Sequence, residues 1–191
     1  MPEEHGQVRD EQLDAVREAR RLHALAQIRQ YPDPSLRMRA REVEGFDADL
    51  HRLAERLVAL MQDANGVGLA ATQIGVLQRV FAFRPGKEGE PRVLVNAEIV
   101  DRSDEAAAED EGCLSMQGVT IPVERPVRVT IVGRDPQGAE VRLELDELAA
   151  RVVQHELDHL DGILILDRTT PEARREALGI LRPQPLLELV R

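Results

Sequence analysis

Tryptophan is absent from this chain, and one tyrosine and three phenylalanines are its only other large aromatics, so the interior has to be built from Leu, Val, Ile and Ala. A single cysteine, Cys113, excludes an internal disulfide and suits a reducing compartment. Its thiol is left for ligation, for nucleophilic chemistry or for simple burial. Lys87 is the only lysine, so the positive charge is almost all arginine. There is no basic amino-terminal stretch followed by an apolar one, and no window approaches the roughly 18 uninterrupted apolar residues of a membrane span. The expectation is a soluble cytoplasmic protein with no membrane contact. With 35 acidic against 25 basic residues the net charge is −10, which excludes a basic face over the whole surface and any extensive nucleic-acid binding, though a local basic patch is compatible with it.

At 191 residues the chain fits one domain able to bury a core without disulfides. Leu13, Val16, Leu22 and Leu25 recur at loosely helical intervals and predict a helix from about Asp10 to Gln27, solvated on most sides because its apolar stripe is thin. Tyr31-Pro32-Asp33-Pro34 interrupts any helix, and the compact domain is expected to begin there. Asp47 is an N-cap for a helix carrying Leu50, Leu53, Leu57, Leu60, Met61 and Ala64, which ends at Asn65-Gly66. Strands are expected at 80–83, 93–96 and 99–102, with a turn at Gly86 to Gly89 between the first two. Residues 127–132 and 141–145 alternate around Asp135-Pro136-Gln137-Gly138 as an antiparallel hairpin. Asp146 is placed to cap a helix that Asp161-Gly162 ends, a short helix is expected over 171–180, and Pro183 and Pro185 discourage regular structure beyond it.

The helix after Asp146 carries Gln154-His155-Glu156-Leu157-Asp158-His159. Side chains four apart stack on one helix face, so His155 and His159 can grip one metal ion while Glu156 reaches water beside it. A catalytic site of this kind takes three protein ligands and leaves a position open. Cys113, in Glu111-Gly112-Cys113-Leu114-Ser115, is a natural third ligand, since thiolate suits divalent transition metals. Gly66-Val67-Gly68-Leu69-Ala70-Ala71-Thr72-Gln73 is a run of small residues, but no Lys-Ser or Lys-Thr follows its glycines, so it is not a phosphate loop.

These three segments, in this order and spacing, resemble the peptide deformylases, over a stretch from about Ile28 to Leu166. The resemblance implies an α+β fold, small antiparallel β-sheets packed around a central metal-binding helix, here with an amino-terminal helical extension. It divides the chain into an extension (1–27), a catalytic domain (28–170) and a carboxy-terminal tail (171–191). It implies that Cys113, His155 and His159 hold the metal, that Glu156 is the acid-base residue, and that Gln73 with the backbone N–H of Leu114 forms an oxyanion hole. Val67, Gly68, Leu114 and Gln117 are implied as substrate contacts. The implied ion is ferrous iron (Fe2+), with Zn2+, Ni2+ or Co2+ able to occupy the same ligands. The implied substrates are nascent N-formylmethionyl polypeptides, and the ribosome is an implied partner.

The chain leaves the family pattern at Gln117, where proline is common, and at Thr120, where a basic residue is common. Arg125 is near enough in sequence to supply that missing charge. Two other readings compete. A zinc peptidase would take a downstream acid, Glu172 or Glu176, as third ligand and would leave Cys113 unexplained. A non-catalytic relative that binds a partner through the extension would be expected to have lost a ligand, Glu156 or Gln73, and none of these is missing.

Overall fold

Helical spacing at the amino terminus is realised as α1 (Glu3–Gln27), which begins earlier than expected. The computed structural model describes residues 3–86 and 89–182, with side chains from residue 14 onward. The thin apolar stripe decides how α1 sits. Val16 and Leu22 are exposed, while Ala24 and Ile28 are buried in the same cluster as Leu50, Leu57 and Met61. Among the residues whose side chains are described, α1 is therefore anchored through its last turns and the residue beyond it. After Tyr31-Pro32, a 3₁₀ turn (Pro34–Arg37) starts at Asp33, whose carboxylate accepts the Ser35 N–H at 2.9 Å. Next, α2 (Ala48–Asp63) is capped as expected by Asp47, which accepts the N–H groups of Asp49 and Leu50.

The sheet strands are β1 (Gly68–Ala70), β2 (Val80–Phe83), β3 (Arg92–Arg102), β4 (Ala106–Cys113), β5 (Met116–Pro126), β6 (Arg128–Arg134) and β7 (Glu140–Asp146). A five-stranded antiparallel sheet has the order β1-β2-β3-β6-β7, and β4 pairs with β5 alone. The expected hairpin of 127–132 with 141–145 is β6–β7. The two short strands expected at 93–96 and 99–102 are instead one strand, β3, with a bulge between them. Asn96 there has φ 51° and exchanges two 2.8 Å hydrogen bonds with the backbone of Val43, so the polar break in the pattern marks a kink. The β4–β5 ribbon was not predicted. Its first strand, Ala-Ala-Ala-Glu-Asp-Glu-Gly-Cys, has low strand propensity and is held by tertiary contacts described below. The turn expected at Gly86 to Gly89 is closed by a hydrogen bond from Gly89 N–H to the Gly86 carbonyl, and residues 87 and 88 lie outside the described ones.

The His-bearing helix is α3 (Glu147–Leu160), and it is buried along most of its length. Asp146 stands at its N-cap but makes no side-chain capping bond, contrary to expectation. Asp146 is still paired with Arg128 as the last residue of β7, and the chain turns sharply into the helix at Glu147, φ 45°. On one side α3 packs Ala150, Val153 and Leu157 against Phe81, Phe83 and Ile131 of the large sheet. A separate cluster joins Met116, Val119, Ile121 and Val123 of β5 to Leu164, Ile165, Leu166 and Ala177. The last of these lies on α4 (Pro171–Ile180), the helix expected over 171–180. The tail from residue 183, read as irregular from its prolines, lies outside the described residues. Among the described residues no helix is long and apolar enough to cross a membrane.

Gly162 ends α3 with φ +73°, and a Cβ there would sit 2.5 Å from the carbonyl oxygen of Arg37. Gly162→Ala should therefore destabilise the protein by at least about 1–2 kcal/mol, the cost of a left-handed alanine before the clash is counted. Urea unfolding of the two proteins at equal pH measures it.

Candidate metal centre

The centre is assembled from three stretches distant in sequence. One helical turn of α3 stacks His155 and His159, whose Nε2 atoms lie 3.1 Å apart. Cys113, the last residue of β4, brings Sγ to 3.2 Å from His159 Nε2. One donor atom from each of the three residues lies within 4.8 Å of the others. Two imidazole nitrogens facing each other at such a distance can share at most one proton. A transition ion with bond lengths of about 2.0–2.3 Å to nitrogen and sulfur fits a donor set of this size. The half-buried thiol and the two imidazoles thus meet the chemical requirement for a divalent transition metal.

His155 is oriented by Glu111, whose Oε2 lies 3.0 Å from His155 Nδ1. With the carboxylate as acceptor, Nδ1 carries the proton and Nε2 is left available to ligate an ion. Burial pushes the Glu111 carboxyl up, but hydrogen bonds from His155 and Arg125 outweigh it and hold the group at about 2. Arg125 is the hub. Its guanidinium donates to both Glu111 oxygens at 2.6 and 2.9 Å and to Asp158 Oδ2 at 2.8 Å. Arg151 adds Glu109 at 3.1 Å and Glu111 at 2.8 Å, and Arg168 closes on Asp158 at 2.6 Å. At 4% exposure, Arg125 is unavailable to a ligand at the surface, which overturns the idea that it supplies the charge missing at Thr120. Burial pushes both histidines down. For His155 the Cys113 and Glu111 contacts reverse the direction, whereas His159 is lowered further by the His155 charge.

Glu156 faces the neighbouring segment. A Cβ on Gly68 would lie 2.1 Å from Glu156 Oε1, so the glycine makes room for the carboxylate. The other oxygen, Oε2, is buried without a partner among the described residues. Burial pushes the Glu156 carboxyl up to about 7, against the opposing pull of the His155 and Arg125 charges. Gln73 is buried in a 3₁₀ turn (Ala71–Ile74). Its Oε1 accepts the Ala70 N–H at 2.8 Å, which fixes the amide so that Nε2 donates to Ser115 Oγ at 3.1 Å and lies 3.7 Å from Cys113 Sγ.

Of these groups Gln73, Cys113, His155 and Glu156 open into a cavity of about 490 Å³, with His159 buried behind them, and Val67, Gly68, Leu114 and Gln117, the expected substrate contacts, line it. The Leu114 carbonyl is pinned by Gln30 at 3.0 Å and Gln117 at 2.7 Å. Thr120 points outward from β5 and does not line the cavity. A second cavity, about 530 Å³, is lined by Arg125 and Asp158 but by none of Cys113, His155 and His159. Glu172 and Glu176, which a zinc peptidase would need, are exposed on α4 and outside the ligand group. Sequence reasoning missed Glu111, Ser115, Arg151 and Asp158, and it missed Arg21 of α1, which also lines the first cavity. The inward phase of β5 was the available signal for Arg125, because Val119, Ile121, Val123 and Arg125 alternate onto one buried face.

Fold and site together define a class: an α+β domain with a Cys-His-His centre built on a His-Glu-x-x-His helix, the arrangement of single-ion metallohydrolases. The family model for polypeptide deformylase matches residues 25–175, and the chain belongs to that family. It is 46% identical over 159 residues to the peptide deformylase of Acidothermus cellulolyticus, covering 83% of this chain and 87% of that protein. It is 46% identical over 153 residues to the peptide deformylase of Desulforudis audaxviator, covering 80% and 99%. Among solved structures, Arabidopsis thaliana peptide deformylase 1B in complex with an inhibitor superposes with a TM-score of 0.78 at 38% identity, covering 81% of this chain and 87% of that one. The Thermotoga maritima enzyme gives 0.73 at 42%, covering 75% and 97%.

Two results are expected from this geometry. Cys113→Ala should lose tight metal binding while keeping its circular dichroism spectrum, as elemental analysis of the purified variant would report. Arg125→Met should cost up to about 3–5 kcal/mol of stability, because it takes the shared buried cation from Glu111 and Asp158 and leaves them, among the described residues, only Arg151, His155 and Arg168 as partners, and chemical denaturation reads that directly.

Proposed function

We infer that this chain is a peptide deformylase, a metal-dependent hydrolase that removes the formyl group from the N-terminal formylmethionine of newly made polypeptides and releases formate. The observation that carries this reading is the convergence of Cys113, His155 and His159, with Cys113 and His155 opening beside Glu156 and Gln73 into one cavity, in a chain of this family. Residues 28–170 are the catalytic unit in this reading, with 1–27 an appended extension and 171–191 a tail whose helix α4 docks on β5 through Ala177. Ferrous iron is the proposed ion, the cytoplasm the proposed location, and the ribosome, from which such substrates emerge, the proposed neighbour.

Cys113, His155 and His159 would hold the ion, whose chemistry there is to acidify water and polarise a carbonyl. Everything else falls to the side chains. Glu156, with one buried oxygen free of protein partners among the described residues and a carboxyl raised to about 7, is suited to take a proton from the attacking water at neutral pH. It then hands that proton to the departing amine, so that the C–N bond breaks to give a neutral amino terminus and formic acid, whose remaining proton passes to the amine or to water to leave formate. The Gln73 amide, with its oxygen fixed by Ala70, offers Nε2 to the developing oxyanion together with the Leu114 N–H. Val67 and Leu114 supply apolar surface for the methionine side chain, and Gln117 lies at the lip beside the pinned Leu114 carbonyl.

The test is formate release from a formyl-Met-Ala-Ser peptide by metal-loaded protein. Glu156→Ala should retain its metal and lose activity by about 10²–10⁴-fold, the usual effect of removing an acid-base group. Gln73→Ala should raise the barrier by about 2–4 kcal/mol with little change in metal content. Near-normal turnover by metal-loaded Glu156→Ala would refute the role given to that residue.

A further inference from the structure

The face of α1 that meets the domain does not stop where burial stops. Ala24 and Ile28 are buried, and Arg21 precedes them on the same stripe, three and seven residues back. The helix is tied to the site itself by the residues that follow it. Arg29 N–H donates to the Gln73 carbonyl at 2.7 Å, Gln30 Nε2 to the Leu114 carbonyl at 3.0 Å, and Tyr31 N–H to the Ser115 carbonyl at 2.8 Å. Arg21 is thereby held at the cavity that contains His155 and Glu156, although it lies outside residues 25–175 that the family model matches.

Two arginines line that cavity, and they differ in what their donors do. Arg151 is consumed by the fold, donating to Glu109, to Glu111 and to the carbonyls of Val123 and Ala107. Arg21 donates only to Glu18, at 3.2 Å, among the described residues. That pair lies within one helix, with the side chains 35% and 56% exposed, so exchanging it for a ligand carries little cost. Asp110, Glu111 and Glu156 line the same cavity, so of its two arginines Arg21 is the one left to offset that acidity toward an incoming carboxylate.

We propose that Arg21 is a specificity-determining residue, contributed by the amino-terminal extension, that favours formylmethionyl peptides with an aspartate or glutamate in the first few positions after the methionine. This rests on the deformylase reading above. A polypeptide whose formyl end is at Glu156 must leave through the mouth of the cavity, and Arg21 meets it there with several N–H donors that match a carboxylate.

Steady-state kinetics on three carboxy-amidated peptides, formyl-Met-Ala-Glu-Ala, formyl-Met-Ala-Gln-Ala and formyl-Met-Ala-Lys-Ala, test it. The wild-type protein should show a kcat/KM for the Glu peptide about two- to fivefold above that for the Gln peptide at low salt, carried by KM, as suits one partly exposed ion pair. The preference should shrink in high salt. Arg21→Gln should abolish it and Arg21→Glu should turn it toward the Lys peptide. Arg20→Glu makes the same charge change at an exposed position of the same helix and should keep the wild-type order, which separates a local contact from net charge. Equal kcat/KM for the three peptides in the wild type, or an Arg21→Glu effect equal on all three or expressed in kcat, would overturn the proposal. Absence of turnover of every peptide by the metal-loaded wild type would instead overturn the deformylase reading.

Discussion

The Arg125 guanidinium, wedged between Glu111 and Asp158, is the contact on which the site's geometry depends. It joins β5, which carries it, to β4 through Glu111 and to α3 through Asp158. Those two neighbours are the elements that carry Cys113 and the two histidines. Glu111 is two residues before Cys113, and Asp158 is one residue before His159, so one planar cation fixes the spacing between the thiol and the imidazoles. Buried ion pairs are poor sources of net stability, because desolvation consumes most of what the attraction returns. Their value here is positional. A hydrophobic replacement could fill the volume but could not hold the Glu111 carboxylate against His155 Nδ1, and the ring would lose its fixed tautomer.

This arrangement also accounts for a strand of unpromising composition. Taken alone, Ala106–Cys113 has too many small and acidic residues to form a strand. Its acids are the reason it forms one: Glu109 and Glu111 are satisfied by Arg151, and Glu111 also by Arg125. The backbone then pairs with β5, and the register slips only after Gly112, where the chain turns to present Cys113. Functional demand and local propensity disagree in this ribbon, and the tertiary ion pairs decide the outcome.

Much of the molecule was legible because it follows single-element rules. The leucine spacing of α2 with its Asp47 cap, the β6–β7 alternation, and the His-Glu-x-x-His turn each express one periodicity or one motif, and each is where the sequence placed it. What stayed hidden needed two elements at once. Asn96 looks like a strand end until its side chain is seen bonded to Val43, more than fifty residues away. Asp146 has the right residue type for a cap, but the ladder of β7 with β6 keeps hold of it. Arg125 is polar in a strand whose inward phase is otherwise apolar, so its burial depends on carboxylates contributed by other elements. For the candidate site, His155, His159 and the acid beside them could be read from spacing and Cys113 from thiolate chemistry and the family resemblance, while the groups that orient them could not, since nothing local distinguishes Glu111 or Asp158 from a solvated acid.

The same division bears on how a metal relates to folding. In small zinc domains the ion supplies the folding energy, because few other contacts bring the ligands together. Here each ligand-bearing segment is fixed by contacts that do not involve the donor atoms. Val153 and Leu157 seat α3 on the large sheet, Met116 and Ile121 seat the β4–β5 ribbon on the cluster around Leu164, and Arg125 joins the two. The chain thus folds around the position an ion would take, and metal affinity becomes a matter of donor identity and orientation. Loss of a candidate ligand should then separate from loss of fold, whereas loss of Arg125, which is not among the candidate ligands, should damage both.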